Sequence, residues 1–166
     1  MGRVKMEVYD ALFKNAFGRT AEAAAAVAAE KRLLQPKAEK AHPLWLMGHL
    51  AFGNDNILNV ILFGGPRTVP REYTKLFGPH FIGGEPVTED AGKYPSWDEV
   101  VTVYGQVAEA TLHLLKEQVD ADLDGAPKGK IPQGTESFFK TYVGTLDMML
   151  LHDSYHRGQL GLLASL

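Results

Sequence analysis

The stretch LLHDSYHRGQL, residues 150–160, carries two histidines four residues apart in an otherwise apolar run, with Arg157, Gly158 and Gln159 directly behind them. At about 100° per residue, two such side chains fall within about 40° of one another and one helical turn apart. Imidazoles placed this way can share one metal ion. The zincin pattern His-Glu-x-x-His does not fit, because Asp153 follows His152 and only ten residues remain after His156 for a downstream third ligand. Ferritin-like di-iron sites need two Glu-x-x-His pairs, and only Glu39 with His42 has that spacing, at a helix start. Any third ligand has to come from upstream.

Working outward, four stretches carry helical periodicity. The first runs from about Lys5 to Ala29, with Val8, Leu12 and Phe17 read as one stripe and Gly18 as a weak point. The second opens at Pro43, which suits a first helical position, and ends before Gly64-Gly65-Pro66. The third opens with Ser96-Trp97-Asp98-Glu99, a capping-box pattern, and runs to about Val119. The fourth starts near Thr135 or Ser137 and runs almost to the end. No alternating strand pattern competes, so the fold class is all-α. The second connection, residues 64–95, is long and rich in Gly and Pro. Antiparallel neighbours need only a short turn, so a connection that long carries the chain back along the bundle. The expectation is a four-helix bundle, up-down-down-up, with a long crossover between helices two and three and one short helix in PREYTKLF. Residues 1–166 read as a single domain.

Composition narrows the function. Apolar residues make up 45% and charged residues 22%, as in ordinary soluble proteins. A net charge of −3 offers no basic footprint, so neither nucleic acid nor a membrane surface is an expected partner. There is no Cys, so no thiolate nucleophile or sulfur metal site exists, and a sulfur nucleophile would have to arrive with a substrate. The start MGRVKMEVYDALF lacks the apolar core of a signal peptide, and the chain reads as cytoplasmic.

His49 in WLMGHLAF is the natural third ligand. An unpaired imidazole would be costly to bury beside Trp45, Leu46, Leu50 and Phe52. It would meet the later half of helix four if helices two and four are antiparallel, the parity that the crossover suggested. Three imidazoles leave a fourth position open, which is the catalytic rather than the structural zinc pattern.

Together, WLMGHLAF and HDSYHRGQL resemble the DinB/YfiT-like superfamily of metal-binding four-helix bundles, over essentially the whole chain. The resemblance implies a divalent metal, commonly nickel or zinc, on His49, His152 and His156. It also implies a homodimer, and relatives that include thiol S-transferases and a mycothiol-dependent maleylpyruvate isomerase.

The neighbours have two readings each. Asp153 and Arg157 form an acid-first i,i+4 pair, or Asp153 or Gln159 orients an imidazole through its second N–H. His42 falls on nearly the stripe of His49 but about 10 Å along the axis, so it is a helix-start or pocket-mouth residue. Asn56 either lines the cavity or is a core amide. Trp45 packs in the core or at the cavity wall. His80, in LFGPHFIGG, either reaches the site or stays on the crossover. The segment from Phe77 to Gly84 is either a lid over the metal or a rigid packing element. No residue is assigned a catalytic role. The leading function is a metal-dependent enzyme acting on a small molecule, a low-molecular-weight thiol S-transferase. The alternatives are a metal-dependent hydrolase, or a non-catalytic bundle that binds a small ligand or dimerises.

Overall fold

The computed structural model describes residues 2–166, and within them the structure is all-helical. Four long helices and one short one are present: α1 (Val4–Ala25), α2 (Pro43–Gly53), α3 (Tyr73–Phe77), α4 (Trp97–Lys116) and α5 (Tyr142–Ser165). Helix α2 does not stop at Gly53. It continues as a π-helix over Asn54–Leu62, so one nearly continuous element spans both. Helix α1 packs on α4 and α5, and α2 packs on the same two.

Side-chain chemistry sets the helix starts. Ser96 and Glu99 form the capping box at α4: Glu99 N–H donates to Ser96 Oγ at 3.3 Å, and Ser96 N–H donates to Glu99 Oε2 at 2.8 Å. Helix α5 begins later than the sequence suggests, because Thr141 caps it by accepting from Gly144 N–H at 3.1 Å. Residues Glu136–Phe138 form a separate 3-10 turn before it. Gly18 does not interrupt α1.

The expected stripe on α1 is wrong. Met6, Phe13, Phe17, Thr20 and Ala24 are buried, whereas Val8 and Leu12 are 56% and 46% exposed. The reason is geometric: Val8 and Phe17 are nine residues, or two and a half turns, apart and face opposite ways. The core joins Phe13 and Phe17 of α1 to Leu46, Met47 and Leu50 of α2, Tyr104 and Leu115 of α4, and Leu146 and Met149 of α5. Full burial of each large side chain is worth about 2 kcal/mol.

Cross-links between helices fix their ends. Arg3 donates to the carbonyls of Leu115 and Gln118, so the start of α1 meets the end of α4. Thr20 reaches Asp153 and Tyr9 reaches Asp147, so α1 and α5 lie alongside. Thr111 donates to Asn59, joining α4 to the π-helix. Buried Asp55 accepts from Thr68 and Val69 N–H and pins the start of the crossover to the π-helix. Lys128 and Gly129 N–H donate to the carbonyls of Leu62 and Ile61, which draws the α4–α5 connection against the end of the π-helix. No helix is long and apolar enough to cross a membrane among the described residues.

Candidate metal centre

His49 enters the interior from α2, and His152 and His156 face it from successive turns of α5. One ring nitrogen from each lies within 4.8 Å of the other two. The Nε2 atoms of His49 and His152 are 3.2 Å apart. Ring centroids of the three are separated by 4.5 to 5.1 Å.

The other face of each ring decides its chemistry. His49 Nδ1 meets the Phe77 carbonyl at 2.8 Å. A carbonyl only accepts, so Nδ1 carries the proton and Nε2 keeps its lone pair. His156 Nδ1 meets Gln159 Oε1 at 2.7 Å, which leaves Nε2 of that ring as the acceptor as well. His152 Nδ1 is buried without a partner. The Trp45 ring stacks on His49 at 4.6 Å and 11°, and its Nε1–H donates to the Leu76 carbonyl at 3.0 Å.

Burial holds these rings neutral. Desolvation dominates at His49, where it outweighs the Phe77 bond and, with the His156 charge, lowers the pKa to about 4. At His152 desolvation and the two neighbouring histidines lower it to about 3. His156 is also lowered by burial, against the Gln159 bond. Nitrogen lone pairs therefore converge at a place where protonation is disfavoured. Such a set fits a divalent cation, for which imidazole is a favoured ligand. A tetrahedral zinc site with bonds of about 2.0–2.1 Å sets its nitrogens about 3.3 Å apart, close to the 3.2 Å between His49 and His152.

Two glycines make the geometry possible. A Cβ on Gly48 would lie 2.4 Å from the Phe77 ring, so this glycine seats Phe77 and thereby brings its carbonyl onto His49. A Cβ on Gly53 would lie 3.3 Å from His152, at the point where α-helical winding gives way to π. π-Turns inside helices recur at functional sites.

The remaining candidates divide. His42 is fully buried and caps α2: Nδ1 accepts from Trp45 N–H and Nε2–H donates to the Thr88 carbonyl, each at 3.0 Å. Asp153 is fully buried and turned away from the imidazoles. It accepts from Thr20 at 2.7 Å and from Tyr104 at 3.3 Å, with Arg157 at 3.8 Å. Burial raises its pKa, against the Thr20, Arg157 and Tyr104 partners and the nearby Asn54 amide. Asn56 lines a cavity beside the histidines and accepts from Arg67 at 3.3 Å. His80 is exposed and does not line that cavity.

The crossover does reach the site. Phe77 packs in the core, while Pro79, Phe81 and Ile82 line the cavity mouth. The loop between is pinched at its base, where a Cβ on Gly84 would sit 1.7 Å from the Gly78 carbonyl oxygen. Sequence reading missed the second wall, from Pro132 to Phe139 on the α4–α5 connection. It also missed the Phe77 carbonyl, since a backbone acceptor has no residue signature. Gly48 was the available signal: a glycine inside a helix is unfavourable unless something packs closely on it.

No match to the chain was found among curated proteins. The family model of the DinB superfamily matches residues 12–160, a span that contains all three histidines and nearly all of the bundle. The chain belongs to the DinB superfamily.

Proposed function

We propose that this protein is a divalent-metal-dependent enzyme that transfers a small thiol onto an organic acceptor, with His49, His152 and His156 holding one nickel or zinc ion. The observation that carries the proposal is the convergence of three neutral imidazoles beside an open cavity. A bound divalent ion would supply Lewis acidity and favour the thiolate form of a thiol at neutral pH. The protein's own groups do the rest. The Phe77 carbonyl and Gln159 fix the tautomers of His49 and His156, and the cavity walls offer the acceptor an apolar surface beside them. In the transfer, the sulfur forms a bond to the acceptor carbon, the leaving group departs with its electron pair, and the thiol proton passes to solvent. Hydrolysis is the weaker reading, because no carboxylate lines the cavity to serve as a base and Asp153 is committed to α1 and α4.

The helix ends support an up-down-down-up bundle within one domain, with α2 and α4 running together. Pairing of two copies is supported by the large apolar side chains left exposed on both helices, Val4, Val8 and Leu12 on α1 and Leu151, Tyr155 and Leu162 on α5. A two-fold dimer would cover the same apolar side chains on both copies.

The test is a transfer assay with 2-mercaptoethanol and 1-chloro-2,4-dinitrobenzene. The expected result is a rate above the protein-free reaction that chelation and His152→Ala both remove. A metal-loaded protein with no acceleration for any small thiol would instead favour the non-catalytic ligand-binding bundle.

A further inference from the structure

The cavity beside the imidazoles has a volume of about 320 Å³. At about 30 Å³ for a water-sized group, it holds roughly ten non-hydrogen atoms. Its wall is built by Phe52, Ile57, Ile61, Phe81, Phe138 and Met148, with other apolar side chains between them. No Lys, Arg, Asp or Glu lines it, and the polar groups on the wall are His49, His152, Asn56 and Thr135. The two histidines adjoin one another, with their Nε2 atoms 3.2 Å apart, and both belong to the metal centre.

We infer that this cavity takes an uncharged, largely apolar small molecule, an aryl or short alkyl compound, that turns a single polar group toward the imidazoles. Away from the metal-facing histidines and from Asn56, which Arg67 contacts, a charged group would lose its hydration against an apolar wall with no ionic partner, which is costly. An apolar one gains from every wall residue that it covers. The reading deepens the proposed transfer by assigning the apolar acceptor to the cavity and leaving a polar thiol to approach from the mouth. It rests on that reading only for the direction of the polar group; the apolar selectivity follows from the wall alone.

Two aromatic side chains from different connections bracket the mouth. Phe81 is on the crossover and 75% exposed, and Phe138 is on the α4–α5 connection and 57% exposed. Both line the cavity while presenting most of their surface to solvent. Neither contributes to the buried core, so both can be changed without unfolding the bundle.

The experiment is calorimetric titration with benzyl alcohol, benzoate and benzylammonium, which share a ring and differ in charge. It is run on the purified protein and on His156→Ala, which removes a proposed ligand that does not line the cavity. Benzyl alcohol is expected to bind both proteins, with each charged probe at least about tenfold weaker in His156→Ala. Phe81→Asp and Phe138→Asp are expected to weaken benzyl alcohol about fivefold or more with unchanged circular dichroism. Equal binding of the charged and neutral probes in His156→Ala would overturn the inference, as would mouth variants that leave benzyl alcohol binding unaltered. A protein that takes up no nickel or zinc on titration and still discriminates among the probes would sink the metal proposal and support this one.

Discussion

His42, the cap of α2, and His49, within it, lie seven residues apart, both buried, and their rings are used in different ways. His42 has each nitrogen engaged by backbone, one as acceptor from Trp45 and one as donor to Thr88. His49 has one nitrogen engaged, by the Phe77 carbonyl, and the other aimed at two further imidazoles. The first is closed chemically and serves the helix. The second keeps a lone pair that no backbone group meets and that faces only other imidazoles, His152 Nε2 at 3.2 Å. A buried polar group is informative when its partners do not add up. Asp153 makes the same contrast with His152 beside it: its oxygens are met by Thr20 and Tyr104, while His152 Nδ1 has no partner.

The largest test of this contrast acts on the support of His49 rather than on the ring. Gly48→Ala places a methyl group where the Phe77 ring now lies. Overpacking of this kind costs about 1–3 kcal/mol, and here it also pulls the Phe77 carbonyl from His49. Denaturant melts should show lower stability, and metal titration should show weaker binding in the same variant. Normal values for both would mean that Phe77 is not what holds the ring.

A smaller effect is expected from Gln159→Ala. Removing a group that orients a metal-binding histidine typically lowers affinity about 10–100-fold. The change should appear in competition with a chelating dye, and stability of the metal-free protein should hardly move. Gln159→Glu should retain binding, because a carboxylate accepts from His156 Nδ1 as the amide oxygen does.

Smallest per step is the effect of pH on the metal-free protein. The folded values of about 4 for His49 and about 3 for His152 lie below the ordinary histidine value of 6.5. As pH falls below 6.5 the unfolded chain takes up protons that the folded protein refuses, so stability falls until the folded values are reached. The slope is on the order of 1 kcal/mol per pH unit for each histidine. Asp153, raised by burial, works in the opposite sense near the carboxylate range. Melts of His49→Ala should therefore show a shallower acid limb between pH 6.5 and 4 than the parent.

Much of this was legible in the sequence because spacing and capping are local. The interval between His152 and His156, the placing of His49 beside aromatic residues, and the Ser96–Glu99 box each survive in the structure. What was not legible depended on distant backbone. The Phe77 carbonyl reaches His49 through the crossover, and the wall from Pro132 to Phe139 follows a connection that Lys128 and Gly129 tie to the end of the π-helix. The π winding itself has no residue signature. Asp153 was read beside Arg157, since i,i+4 pairs are visible in sequence, yet its shorter contact is Thr20 on another helix.

The most direct measurement is the metal content of purified His42→Ala and His49→Ala, compared with the parent by elemental analysis. The account predicts about one nickel or zinc ion per chain in the parent and in His42→Ala, with His42→Ala less stable by about 1 kcal/mol from its lost helix cap. It predicts that His49→Ala retains almost none. Equal metal in all three proteins, or loss from His42→Ala as complete as from His49→Ala, would contradict it.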